Sequence, residues 1–407
     1  MKNQMKKRNI LFLFIGYPEN KNDSNLPKDL ADEFVRQGDG VFVATIRERK
    51  LGLKTSDSFE NNRRVLRIRS GNMFNTVSKF EKAFSMLTMN QKIYSNIKKH
   101  WGNIEFDLIV GSTPYTAHSS LILGLKKHFK CPAFLILWDI FPQNARDLGI
   151  IKNKYLFEFF KRREIKSLLN FDHIGCMTDG NLEYIKKNYP FISHNKLTIF
   201  PLWGNKKTIK NDLSISREKL GFDTTDFILV FGGNMGLPQN LPNIINLANE
   251  VKHIKDIKFL FVGDGTEVKK IRDLTKEFKL SNVKFLNKVE RTVYEDIMLF
   301  CDVGLVSLSP KFTVPNFPSK TMDYIKYNLP ILASLDQTAL MDYGYFIEEK
   351  LKIGLCSHAE NMTNYKENLF KLYKNRDLYD KFSGNCQNAF DKKFNIKTNY
   401  ESIITCL

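Results

Sequence analysis

Short apolar runs alternate with longer amphipathic stretches from one end of the chain to the other. The first series comprises Ile10–Gly16, Val41–Thr45, Val65–Ile68, Asp107–Gly111, Ala133–Trp138, His173–Met177 and Leu197–Phe200. After a polar stretch a second series follows: Phe227–Gly232, Lys258–Gly263, Val283–Leu286, Asp302–Val306, Pro330–Ala333 and Ile353–Cys356. Continuously apolar runs are strands buried on both faces, and the helical patterns between them supply the crossovers of parallel sheets. The pattern therefore predicts an α/β, doubly wound chain with two sheets. Trp203–Ser216, rich in Lys, Asn, Asp and Ser, reads as the linker between them. In two-sheet proteins of this kind ligands bind in the crevice between domains, at the carboxyl ends of strands. Loops that directly follow a strand are thus where chemistry is expected.

Composition narrows the class. The chain has 407 residues, enough for two or three domains, and is 43% hydrophobic and 26% charged, which excludes wholesale disorder. Lys and Arg outnumber Asp and Glu by 62 to 44, a net charge of +18 that favours an anionic partner: a phosphate, a membrane surface or a nucleic acid. No apolar run approaches the roughly 18 residues needed to span a bilayer. Met1–Arg8 is basic and Ile10–Gly16 apolar, but Tyr17-Pro18-Glu19-Asn20 follows where a signal peptide would have small residues, so a first buried strand is expected. The six cysteines are far apart, without C-x-x-C spacing, and read as reduced core residues of a cytosolic protein.

The loop Phe231-Gly232-Gly233-Asn234-Met235-Gly236-Leu237-Pro238-Gln239-Asn240 lies between a strand and a helical pattern. Such a loop is either a phosphate cradle, glycines allowing close backbone approach to an anion at a helix start, or simply a tight turn. In DVGLVSLSPKFTVPNFPSKTMD (Asp302–Asp323) a strand ends near Leu308, and a helix begins at about Ser319. Ser319, Lys320 and Thr321 would bring hydroxyls, amides and an ammonium to one helix start, an arrangement suited to a diphosphate; the competing reading is an ordinary capped helix with a solvent-facing lysine. Gly263-Asp264-Gly265 ends a third strand. In the first half, Asp139 follows a strand and is equally suited to an acid/base or hydroxyl-orienting role and to capping the next helix. His118, in the loop after Asp107–Gly111, is a lone histidine of a kind more often structural than catalytic.

Several absences matter. The chain has no Asp-x-Asp, no metal-ligand histidine spacing, no G-x-S-x-G elbow and no Walker lysine loop, so neither a metal nor another cofactor is expected. The first strand ends in a single Gly16 rather than a dinucleotide fingerprint. Two stretches are basic, aromatic and amphipathic. Lys152–Lys166 carries six basic and two acidic residues, and Ser78–His100 sets Phe84, Met86 and Met89 among lysines. Such helices either lie on an anionic membrane surface or pack an apolar face on their own sheet.

Four segments taken together resemble one family: WDIFPQNARDLGI, FGGNMGLPQNL, FLFVGDG and CDVGLVSLSPKFTVPNFPSKTMDYIKYNLPILAS. Their order and spacing are similar to those of the retaining nucleotide-sugar glycosyltransferases of family 4, in the branch that builds bacterial O-antigen and capsule repeats. The resemblance implies a GT-B architecture, two Rossmann-like doubly wound domains facing across a cleft. It sets an acceptor-side domain at 1–203, a nucleotide-sugar domain at 204–386, and a helical segment at 387–407 crossing back to the first. The implied donor-binding residues are Gly16, Asn234, Gly236, Gln239, Gly263, Val289, Pro318, Ser319, Lys320, Thr321 and Asp323. Gln239 falls near a position where the family often has a basic residue. Asp323 falls on the second acidic position of the family's E-x7-E motif, while the first falls on Pro315, so that carboxylate is missing.

The activity so implied is metal-independent, retaining transfer of a sugar from a nucleoside diphosphate, UDP being the expected one, to a lipid-linked saccharide. Lys320, Asp139 and His118 are the catalytic candidates. The expected setting is the cytoplasmic face of the inner membrane, peripherally bound to its anionic surface and without a nucleic-acid partner. The alternatives are a GT-B nucleotide-sugar epimerase, which would turn over without an acceptor, and a non-enzymatic basic protein that binds membrane or nucleic acid.

Overall fold

The computed structural model of the chain describes residues 7–20, 23–73, 78–114, 119–205 and 213–407. These residues form two compact units, the first made of Met1–Arg146, Ile151–Pro201 and Ile396–Leu407, the second of Asp147–Ile150 and Leu202–Asn395. Residues 206–212 of the expected linker lie outside the described residues.

The first unit runs β1 (Asn9–Leu13), α1 (Leu26–Arg36), β2 (Gly40–Glu48), β3 (Ser56–Glu60), β4 (Arg63–Ser70), α2 (Lys79–Trp101), β5 (Leu108–Ser112) and α3 (Ser119–Phe129). It continues with β6 (Ala133–Leu137), α4 (Gln143–Asp147), which reaches the unit boundary, α5 (Lys154–Asn170), β7 (His173–Cys176), α6 (Asp179–Asn188) and β8 (Leu197–Ile199). The sheet order is β3-β4-β2-β1-β5-β6-β7-β8. Every neighbouring pair is parallel except β3 and β4. All five residues of β5 and of β6 are buried, as strands covered on both faces require. Asn25, Ser78, Asn153 and Thr178 accept backbone N–H bonds at the starts of α1, α2, α5 and α6, satisfying amides that a helix leaves free.

In the second unit the elements are β9 (Phe227–Asn234), α7 (Leu241–Glu250), β10 (Ile257–Asp264), α8 (Val268–Glu277), β11 (Val283–Leu286), α9 (Arg291–Met298), β12 (Val303–Ser307) and α10 (Lys320–Lys326). There follow β13 (Ile331–Leu335), α11 (Gln337–Ala339), β14 (Gly354–His358), α12 (Met362–Lys374) and α13 (Arg376–Lys393). Its sheet, all parallel, has the order β11-β10-β9-β12-β13-β14. The strand order therefore reverses beside β9, whose successor β10 lies on one side and β12 on the other. In open parallel sheets that reversal opens a crevice at the carboxyl edge. The first sheet reverses in the same way between β1 and β5.

Gln387–Leu407 differs from the single crossing segment expected. Gln387 lies inside α13 in the second unit, the helix ends at Lys393, and α14 (Ile396–Ile404) belongs to the first unit. There the Tyr400 hydroxyl donates to Asp39 at 3.0 Å and packs edge-on against Phe34, while Asn399 Nδ2 donates to the Pro201 carbonyl at 2.7 Å. No helix among the described residues is long and apolar enough to cross a membrane. All six cysteines are free, five of them buried.

Candidate functional site

The loops at the carboxyl edge of the second sheet are brought together by backbone pairing. β9 and β10 remain in register to their ends, with Gly233 opposite Gly263 and Asn234 opposite Asp264; Met235 N then donates to the Asp264 carbonyl at 2.8 Å. Gly263 has φ +146°, and a Cβ there would fall 2.0 Å from the Gly233 carbonyl oxygen. A side chain at this position meets rigid backbone in a conformation that L-residues avoid. Gly263→Ala is accordingly expected to cost about 3 kcal/mol through combined strain and overpacking, read as a lowered melting temperature. A variant melting with the wild type would show that the two glycine loops are not tightly joined.

Beyond Asn234, which is exposed, the chain makes a 3-10 turn at Leu237–Gln239 before α7. Gln239 Oε1 accepts the Gly236 amide at 3.1 Å. Gly236 and Gln239 were both expected in the donor-binding set; here they satisfy each other, because a carboxamide three residues on reaches back across the turn. The loop is tied to β12 as well, since Ser309 N donates to the Pro238 carbonyl at 2.8 Å.

The chain from Leu308 to Ser319 then leads into α10. Lys320 is partly buried and its ammonium lies 4.7 Å from the centroid of the Phe231 ring. Burial pulls its pKa down to about 8, with the Asp323 carboxylate opposing the shift. Ser319 is exposed, and among the described residues neither its amide nor that of Lys320 has a partner, whereas the Thr321 and Met322 amides bond to the Pro318 and Ser319 carbonyls at 3.1 Å. Thr321 differs from expectation. Its side chain is fully buried and its hydroxyl lies 2.7 Å from that of Tyr343, so it helps hold α10 on the core rather than facing the edge.

Asp323 also has a partner that sequence reasoning missed. Arg291, at the start of α9, donates to both its carboxylate oxygens at 2.5 and 3.2 Å, and to Glu295 at 3.1 Å. Lys326 completes the network on Glu295 at 3.2 Å. An Arg four residues before a Glu on one helix reads as a routine surface pair. Nothing in its spacing points to a carboxylate 32 residues further on. Val289 lies just ahead of Arg291, partly buried in the loop after β11. Tyr324 accepts the Gly232 amide at 3.2 Å and donates to the Leu305 carbonyl at 3.0 Å, fixing α10 to the ends of β9 and β12.

In the first unit Gly16 has φ +81° after β1, its carbonyl accepting from Asn25 Nδ2 at 2.6 Å. His118 lies outside the described residues. Asp139 does not cap α4. Its amide donates to Thr113 Oγ1 at 2.9 Å, and among the described residues its carboxylate has no partner. Water reaches that carboxylate, yet the protein encloses it on its other sides and pushes its pKa up to about 6. It faces an open pocket with Thr113, Phe141 and Phe160 among its walls.

A family model for Glycosyl transferases group 1 matches residues 213–389. A curated relative, the probable glycosyltransferase WbjE of Pseudomonas aeruginosa, is 24% identical over 213 residues, so that the match spans 50% of this chain and about half, 51%, of that protein. Among solved structures, sucrose-phosphate synthase from Thermosynechococcus elongatus superposes with a TM-score of 0.76 at 13% identity, covering 98% of both chains. Anabaena Alr3699/HepE, in complex with UDP and glucose, superposes at 0.69 with 15% identity and the same coverage. The fold is that of the GT-B glycosyltransferases, and the family match to residues 213–389, the curated relative and these structural neighbours together support a glycosyltransferase.

Proposed function

We propose that the chain moves a sugar from a nucleoside-diphosphate sugar to a hydroxyl of a lipid-linked saccharide, with retained anomeric configuration and without a metal. The observation that carries this reading is Lys320, a half-buried ammonium beside two unpartnered amides at the carboxyl edge of the second sheet, next to the glycine loop. UDP is favoured as the nucleotide by the Anabaena protein of like fold, which was solved with it. Asn234, Gly263, Val289 and Pro318 lie in the loops around this edge and, with Gly16 of the first unit, complete the proposed donor set, while Asp139 serves the acceptor. Arg291 holds Asp323 in place for the ribose hydroxyls.

In the reaction the bond between the anomeric carbon and the diphosphate oxygen breaks, and its electron pair leaves with the diphosphate. The acceptor oxygen bonds to that carbon and gives its proton to the Asp139 carboxylate. Charge develops on the departing diphosphate, so preorganised donors such as Lys320 and the Ser319 and Lys320 amides lower the barrier. We place the reaction in O-antigen or capsule assembly at the cytoplasmic face of the inner membrane, on the resemblance of the four segments and the basic, apolar character of α2 and α5.

Calorimetry with UDP, GDP and their sugar conjugates tests the donor. UDP and a UDP-sugar are expected to bind; no response to any nucleotide, or turnover of a UDP-sugar without acceptor, would overturn the proposal. Membrane binding is tested by cosedimentation with phosphatidylcholine vesicles of rising phosphatidylglycerol content. Each basic residue near the surface contributes about 1 kcal/mol, so binding should rise steeply with anionic lipid. Indifference to it would remove the membrane from the proposal.

A further inference from the structure

The pocket beside Asp139 has a chemistry of its own. Its walls come from α2, α5 and the loops after β5 and β6, with Met86, Pro114, Phe141, Phe160 and Leu168 supplying an apolar lining. Two charged side chains of α5, Arg163 and Glu164, also reach it. Glu164 is already compensated. Lys161 Nζ lies 2.9 Å from its carboxylate, and the Tyr189 hydroxyl donates to the same oxygen at 2.7 Å. Arg163 is not. Its guanidinium lies over the Phe159 ring at 5.4 Å and has no carboxylate partner among the described residues. The pocket thus pairs an apolar wall with one uncompensated cation, and Asp139 opens onto the same space.

That combination selects a ligand class. A free saccharide would leave apolar walls against hydroxyls, and a purely apolar ligand would leave a guanidinium partly desolvated without an anion. An amphiphile with a phosphate head satisfies both. The outer faces of the same helices favour such a ligand's arrival, because Phe84 on α2 is 67% exposed and Tyr155 on α5 is 85% exposed, amid lysines and arginines.

We infer that this pocket binds a phosphate-bearing amphiphile, its apolar part against Phe160 and Leu168, its phosphate on Arg163 and its reacting hydroxyl turned to Asp139. The last element rests on the proposed glycosyl transfer; the ligand class rests on the pocket alone. The apolar portion enters from the face of α2 and α5, which places the acceptor's lipid rather than its sugar against the first unit's helices.

Calorimetry with three probes tests this: dodecyl phosphate below its critical micelle concentration, dodecyl maltoside, and inorganic phosphate. Dodecyl phosphate should bind the full-length protein at least tenfold more tightly than either. Arg163→Gln should erase its advantage over dodecyl maltoside, and Met86→Trp, which fills the pocket, should weaken both amphiphiles; UDP binding should persist in both variants as a check on folding. Equal affinity for dodecyl phosphate and inorganic phosphate would overturn the apolar subsite, and equal affinity for the two amphiphiles would overturn the phosphate one. Unchanged binding in Arg163→Gln would overturn the role of that residue. Wild-type protein that binds dodecyl phosphate as expected but ignores every nucleotide would sustain the pocket while sinking the proposed transfer.

Discussion

Lys320→Ala is expected to lower kcat by roughly 10²–10³-fold, the range found when one preorganised donor to a developing anion is lost. The side chain stands 4.7 Å from the Phe231 ring centroid, half-withdrawn from water, so its charge is screened less than that of a surface lysine. Folding should not suffer. Burial lowers the Lys320 pKa from 10.5 to about 8, which means the folded protein holds that proton less tightly than the unfolded chain. Between about pH 8 and 10.5 the unfolded state binds the extra proton, and the contribution of this lysine to stability rises with pH; below pH 8 the charged side chain costs stability. The alanine variant should therefore melt no lower than the wild type at pH 7, while steady-state assays show the loss in turnover. Turnover within a few-fold of wild type would remove Lys320 from the mechanism.

The second large effect is on pH dependence. In the proposed transfer Asp139 must be ionised to take the acceptor proton, and its pKa is pushed up to about 6; Lys320 must be protonated to meet the diphosphate, and its pKa is pulled down to about 8. A plot of kcat/KM, which reports the free enzyme, is then bell-shaped with limbs near those two values, falling tenfold per pH unit beyond each. Asp139→Asn should abolish the acid limb along with most activity. Lys320→Ala should remove the basic limb from what activity remains. In the kcat profile the basic limb should move up, because a bound diphosphate favours the ammonium. For stability the carboxyl acts in the opposite sense from the lysine. With a folded-state pKa above the ordinary 3.8, its contribution is present at low pH and lost as pH rises toward about 6. A kcat/KM profile flat from pH 5 to 9 would show that neither group titrates in the rate-determining step.

Much of the fold was legible because doubly buried strands are continuous apolar words between amphipathic ones. Thirteen apolar runs became thirteen parallel strands, with ends shifted by at most three residues. The strand that escaped notice, β3, reads Ser-Asp-Ser-Phe-Glu; it lies antiparallel at the sheet edge and leaves Phe59 73% exposed, so it never needed an apolar run. The crossing segment was harder, since an amphipathic pattern carries on through Phe394 and Asn395, and only packing on α1 shows where the second unit ends and α14 begins.

At the candidate site, residue types and their order along the chain pointed to loops that the fold sets at the carboxyl edges of the sheets, because glycine, proline and a helix-start lysine constrain the backbone locally. Local chemistry could not say which polar groups were already spent. Gln239 turns back onto the Gly236 amide, Thr321 bonds to Tyr343 inside the core, and Arg291 grips Asp323 from another helix. Whether a polar group is free to meet a ligand depends on partners brought near by the fold. The sequence by itself therefore determined the architecture and singled out the carboxyl edge of each sheet as the candidate site; the tertiary structure decided which donors there remain unpaired, since hydrogen bonds and ion pairs act over a few ångströms in space, whatever their separation along the chain.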